Sequence, residues 1–428
     1  MIYGQLFRFL LPLVVTVVIQ ELSGQVLSGG MARMPRATET LASYGLAWGL
    51  VMFMTSTLAQ TRQLGLVLVE DRRSFRKVQW VVLSIGALLS GVLVCMERTP
   101  LGVWVIEDLH RVDPSLSAVV LYGLFWLTPI PVCFGLIRFN SGMLMRARRT
   151  DLVSYATVSG IVASVGTVFV LLPTDFVRTA PIRLPLLVTY AGVLTELGVV
   201  LWGRRRAVVL PAQTGGAPLT VGYVIRFFWP LAVIMALQGV SRPVINLFVA
   251  RGPDGPEALA ALTVVYALAH VPYGWVNEIR NLHTAFKDVE NSLYAIWRFA
   301  IGCGVFSFGV MAAAFWTPVR DFWLETLIGV DADLAAVCMW PLVLFSFFPL
   351  TVMARAYFHG VGLLTHRTRA MTPSAPARIG AIVLVLLVLP VELHGATRGI
   401  AALLSGFVAE MVTVWWCVQG RHRFGRRE

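Results

Sequence analysis

Charge is what this chain has least of: Asp, Glu, Lys and Arg make up 14% of its 428 residues, against 57% hydrophobic, and the mean hydropathy is +0.74. A soluble globular chain is about one-quarter charged, so a water-solvated fold is excluded and the bilayer becomes the solvent. Segments of about ten residues with strict apolar/polar alternation are missing too, which excludes a membrane β-barrel. The five cysteines, Cys95, Cys133, Cys303, Cys338 and Cys417, form no CxxC pair, so they set up neither a disulfide framework nor a metal site. There is no phosphate-cradling Gly-Lys loop, no HExxH pair and no Gly-x-Ser-x-Gly elbow, and the seven histidines are dispersed. No catalytic residue, metal or cofactor is expected. A cleaved signal peptide is not expected either, because the first apolar run carries Gln20 and Glu21 and lacks a small-residue cleavage site.

What the chain does contain is about twelve long apolar runs: 9–28, 41–62, 78–97, 116–138, 152–172, 184–203, 223–250, 258–279, 294–316, 335–357, 377–392 and 396–419. Each is close to the roughly 20 residues an α-helix needs to cross a hydrocarbon core. The fold class is therefore an all-α polytopic membrane protein. The formal charge of +12 collects in alternate short loops, at Arg72, Arg73, Arg76 and Lys77, at Arg146, Arg148 and Arg149, at Arg204 to Arg206, at Lys287, at Arg367 and Arg369, and in the tail from Arg421 to Arg427. That pattern suits loops facing anionic lipid rather than nucleic acid, and it puts both termini in the cytoplasm of a multi-pass cell-membrane protein.

An internal repeat organises the spans. Moving the sequence by 226 − 8 = 218 positions lays Arg8, Phe9, Pro12, Leu13, Gln20 and Ser23 on Arg226, Phe227, Pro230, Leu231, Gln238 and Ser241. The register continues without a gap: Arg62 meets Arg280, Asp113 meets Asp331, Pro131 meets Pro349, and Arg149-Thr150 meets Arg367-Thr368. An even number of spans per copy predicts two parallel six-helix bundles, 1–203 and 220–428, joined by a cytoplasmic linker at 204–219 that contains Gly215, Gly216 and Pro218. Alternating access needs two bodies moving against each other, so the duplication favours a transporter over a channel, a receptor or an intramembrane enzyme.

Several ordered blocks carry a resemblance: Leu41-Ala42-Ser43-Tyr44-Gly45-Leu46-Ala47, Ser241-Arg242-Pro243 with Asn246-Leu247-Phe248-Val249, Pro272-Tyr273-Gly274-Trp275 leading to Glu278-Ile279-Arg280, Phe345-Ser346-Phe347-Phe348-Pro349, and His394-Gly395-Ala396-Thr397 with Glu410. In these blocks the chain resembles the progressive ankylosis (ANK) family of multipass membrane proteins. The resemblance implies export of small polyanions such as citrate, nucleoside triphosphates and pyrophosphate. It also implies a scaffold similar to two-bundle multidrug and flippase-type exporters. A lipid or multidrug exporter of that architecture is the alternative.

Ionisable groups inside apolar runs are costly and mark candidate sites. Arg242 is the deepest, bracketed by Ser241, Pro243 and Asn246, and its guanidinium suits a carboxylate or phosphate. Glu21 lies at similar depth in the first copy, as an ion-pair partner for Arg242, a proton carrier or a structural group. Arg62, Arg280, Arg355 and Arg138 approach one membrane face and are expected to form a ring that attracts anions, with Glu278 offsetting part of it. His270, Asn140, Asn246 and Gln20 add donors, while Glu410 is expected to pack structurally. The expected partners are a small anionic solute and membrane lipid; the sequence does not specify the oligomeric state, and a monomer is compatible with it.

Overall fold

Among the described residues eleven helices are long and apolar enough to cross a membrane, or twelve when the pair Pro114–Leu127 and Ile130–Arg146, bent by 42°, is counted as one span. The structure is a computed structural model describing residues 2–110, 112–212, 219–390 and 392–420, without the side chains of 21–25, 327 and 419–420. The roles expected of Glu21, of the tail arginines and of linker residues 213–218 thus lie outside the described residues.

In chain order the helices are α1 (Ile2–Ala32), α2 (Ala37–Leu68), α3 (Arg72–Arg98), α4 (Pro114–Leu127), α5 (Ile130–Arg146), α6 (Thr150–Leu171) and α7 (Arg183–Ala207). They continue with α8 (Val221–Ala250), α9 (Gly255–Ala285), α10 (Ser292–Phe315), α11 (Ala332–Phe345), α12 (Phe348–Leu364), α13 (Thr368–Val388) and α14 (Gly395–Trp415). Most run past the apolar stretches that betray them, because hydropathy marks only the part in hydrocarbon. α3 shows why: Asp71 accepts from the Ser74 N–H at 2.7 Å while Ser74 Oγ accepts from the Asp71 N–H at 3.0 Å. This reciprocal cap starts the helix at Arg72, six residues before the apolar run.

The 218-residue register reappears in the backbone. Helices α4 and α5 begin at 114 and 130, α11 and α12 at 332 and 348. Asp113 and Asp331 both cap the following helix through a side-chain oxygen. Arg148 and His366 share a left-handed conformation, with φ of 56° and 57°. Packing repeats as well: α2 lies on α4, α3 on α5, α5 on α7 and α6 on α7, as α9 lies on α11, α10 on α12, α12 on α14 and α13 on α14.

The chain divides into two compact units, Leu11–Phe228 and Met1–Leu10 with Trp229–Glu428, here called the N-terminal and C-terminal units. The first turns of α1 belong to the C-terminal unit, where Phe9 meets Phe286 edge to face at 5.7 Å. In both units one glycine allows a close helix crossing. A Cβ on Gly142 would come within 2.0 Å of the Arg62 carbonyl oxygen. One on its repeat partner Gly360 would come within 2.8 Å of the Arg280 carbonyl oxygen. Small residues at such crossings let backbones approach, and the methyl group of alanine must push them apart. Gly142→Ala is therefore expected to destabilise by about 1–3 kcal/mol. Thermal unfolding in detergent checks this against Gly49→Ala, where nothing lies within 4 Å of the added carbon.

Pro272 does not end α9. The helix continues through Pro272 to Gly274 and only then tightens into a 3₁₀ segment, Trp275–Asn281. The Pro272 carbonyl is satisfied instead by the Ser307 hydroxyl at 2.6 Å and the Trp275 indole at 2.8 Å.

Candidate functional site

The C-terminal unit gathers charge around Glu410, which α14 holds fully buried at 0% exposure. Arg355 on α12 and Arg378 on α13 each donate to Glu410 Oε2 at 2.9 Å, and Gln238 on α8 donates to Oε1 at 2.6 Å. His359, one turn after Arg355, stands 3.9 Å from the same carboxylate. The outer edges are satisfied too, Arg355 by the Asn277 side-chain oxygen on α9 and Arg378 by the Ser241 hydroxyl at 3.0 Å. Both guanidiniums sit on Phe407, their Cζ atoms 4.8 and 4.1 Å from the ring centroid. A carboxylate taken out of water is tolerated only with this density of donors. Two arginines on one acid leave the cluster with a positive excess.

Arg242 lies outside that network, one residue after Ser241 on α8. It is exposed, its guanidinium is 4.5 Å from the Tyr266 ring centroid, and no carboxylate pairs with it among the described residues. Asn246, also exposed, follows one turn later. An aromatic platform fixes a guanidinium while leaving its donor edge for another acceptor.

The remaining candidates separate by unit. Arg280 is half-buried in the 3₁₀ segment of α9, and His270, also half-buried, meets Tyr273 edge to face at 5.3 Å. Arg62, Arg138, Asn140 and Gln20 belong to the N-terminal unit. There Arg138 lies 5.5 Å from the Phe134 ring centroid, and the buried Asn140 gives its amide to the Leu136 carbonyl at 2.7 Å. The ring expected of Arg62, Arg138, Arg280 and Arg355 thus draws two arginines from each unit, and Arg355 is committed to Glu410 and Asn277.

Gln20 borders a cavity of about 560 Å³ inside the N-terminal unit, whose walls include Tyr44, Trp48, Phe134, Thr157 and Glu196. Tyr44 and Trp48 stack at 6.0 Å, and Thr157 donates to Glu196 at 3.0 Å. The polarity of this cavity is opposite to that of the Glu410 cluster: one acid with aromatic neighbours, against an excess of arginine.

Sequence reasoning passed over Arg378, His359 and Asn277. Arg378 opens an apolar run and reads as a helix-end residue, yet it is 5% exposed. A usable signal was present, since at the 218-residue offset Arg378 falls on Gly160, as Arg242 falls on Gly24. A charge in one copy where the other keeps glycine marks what the copies no longer share.

Comparison with known proteins agrees with this architecture. A sequence model described as progressive ankylosis protein (ANKH) matches residues 1–317. Among solved structures, a MATE transporter in complex with MaD5 is similar at a TM-score of 0.72 and 17% identity, over 99% of this chain and 96% of that one. The MATE transporter ClbM in complex with Rb+ gives 0.69 and 14%, over 100% and 96%. A MOP superfamily transporter from Pyrococcus furiosus, described as having a binding pocket of reverse polarity, gives 0.64 and 15%, over 99% and 96%. At these identities the likeness is one of fold.

Proposed function

We propose that this chain, which belongs to the progressive ankylosis (ANKH) family, is a cell-membrane transporter that moves small polyanions of the citrate, nucleotide or pyrophosphate class. The observation that supports the reading is the excess of guanidinium inside the C-terminal unit: Arg355 and Arg378 share the single acid Glu410, and Arg242 stands nearby on the same helix as Ser241 and Gln238. A polyanion leaving water needs donors whose charge offsets its lost hydration. In this reading Arg242 contacts the solute with Asn246 beside it, and the Glu410 network holds α8, α12, α13 and α14 together and keeps the local potential positive. Alternating access between the two units exposes the bound anion to each side in turn.

The test is flux into proteoliposomes of purified protein, comparing radiolabelled citrate, ATP and pyrophosphate with a lipophilic cation. Saturable uptake of at least one anion, well above the cation, is expected. A specific observation favours the rival exporter, namely the acid-and-aromatic cavity of Tyr44, Trp48 and Glu196. Uptake of the cation with no anion movement replaces the polyanion reading with that one.

A further inference from the structure

A second basic feature lies away from the Glu410 cluster, at the end of the N-terminal unit where α3 begins and α7 finishes. Arg72 and Arg76 from α3 and Arg204 and Arg205 from α7 line one cavity of about 680 Å³, with Phe75 and Val209 in its wall. None of the four arginines has an acidic partner among the described residues. The nearest acid in sequence, Asp71, is buried and committed to capping α3. Arg204 is held over the Phe75 ring at 4.9 Å, and its Nε is buried without a hydrogen-bond acceptor. Arg72 is anchored at the other wall, its backbone N–H donating to the Pro211 carbonyl at 3.0 Å and its Nε to the Leu210 carbonyl at 3.3 Å. The cavity is therefore built on two fixed guanidiniums, Arg204 held by the ring and Arg72 by the connecting segment, with the exposed Arg76 and Arg205 completing its wall.

Loop charge that only orients spans in the membrane does not need to converge in this way. The second copy does not keep the feature, since at the 218-residue offset Arg72 and Arg76 become Glu290 and Tyr294. Four converging guanidiniums with no acid suit a phosphate group, which accepts paired N–H bonds from several forks at once. The setting is amphipathic: Arg72 opens one membrane span, Arg205 lies in the last turn of another, and Val209 on the rim is 92% exposed. An apolar rim beside cationic donors matches a molecule that carries a phosphate and a hydrocarbon tail.

We infer that this cavity binds an anionic phosphate group, with the headgroup of an anionic phospholipid as its natural occupant. Binding there would join the start of α3 to the end of α7 and to segment 208–211.

The experiment is native mass spectrometry of the full-length protein from mixed micelles containing phosphatidylglycerol and phosphatidylcholine in equal amounts, with a parallel arm containing inorganic phosphate. Wild-type protein should retain phosphatidylglycerol at least fivefold over phosphatidylcholine. Arg76→Gln with Arg204→Gln should lose that preference. Arg73→Gln with Arg206→Gln removes the same charge from the same two loops but outside the cavity wall, and should keep it. Lysine at positions 76 and 204 preserves loop charge and membrane orientation, and should give a partial loss. Retention of inorganic phosphate that displaces the lipid and disappears in the 76/204 variant would assign the same site to a soluble phosphate. Equal loss in both glutamine pairs, or no preference in the wild type, overturns the proposal, because attraction would then be diffuse.

Discussion

Arg242→Gln is expected to cut anion flux by roughly ten- to a hundredfold while the inserted protein remains abundant. The size follows from what is removed. A hydrogen bond to a charged group contributes about 1.5–3 kcal/mol, and each 1.4 kcal/mol is about tenfold in binding. Glutamine keeps donors but not the charge, so the solute's lost hydration is no longer offset. Arg242→Lys keeps the charge on a compact ammonium without the planar fork, and should give an intermediate defect. The structural cost should be small, because Arg242 is exposed and leans on Tyr266 at 4.5 Å with no carboxylate partner among the described residues. Flux in proteoliposomes, read beside the melting temperature of the same preparations, separates the two effects. Normal flux in stable Arg242→Gln protein removes this residue from the anion site.

Glu410→Gln should have the largest effect on stability, about 3–5 kcal/mol. The carboxylate is 0% exposed and accepts from Arg355, Arg378 and Gln238, so neutralising it leaves two buried guanidiniums facing each other across an amide. Arg378→Gln alone should be much milder for stability, because Arg355 and Glu410 then remain as a balanced pair. Combining Glu410→Gln with Arg378→Gln should recover part of the loss, the signature of coupled groups in a double-mutant cycle. The milder variant also informs on function. Arg378→Gln removes the positive excess while keeping the pair, so a strong fall in anion flux at near-normal melting temperature supports the polyanion reading. If Glu410→Gln unfolds at the wild-type temperature, the cluster does not hold the C-terminal unit together.

Much of this was legible before any coordinates. Low charge and long apolar runs set the solvent and the helical class, since a backbone in hydrocarbon must satisfy its own hydrogen bonds. Polar and proline matches at one offset set the repeat, and the structure keeps that offset in Asp113 and Asp331 as caps and in the left-handed Arg148 and His366. Arg242 could be singled out because a charge deep in an apolar run is costly wherever the helices go. What the sequence could not determine is which charges meet. Arg355, Arg378 and Glu410 come from three helices and become one cluster only when α12 and α13 pack on α14. Glu410 therefore reads as a packing residue in isolation, and Arg378 as a helix-end snorkeller. Likewise the alternate basic loops announce an orientation, but only the approach of α3 to α7 makes Arg72, Arg76, Arg204 and Arg205 into one cavity. Depth along a helix is written in the local sequence, whereas neighbours across helices are set by packing, and the energy of a buried charge depends on its neighbours.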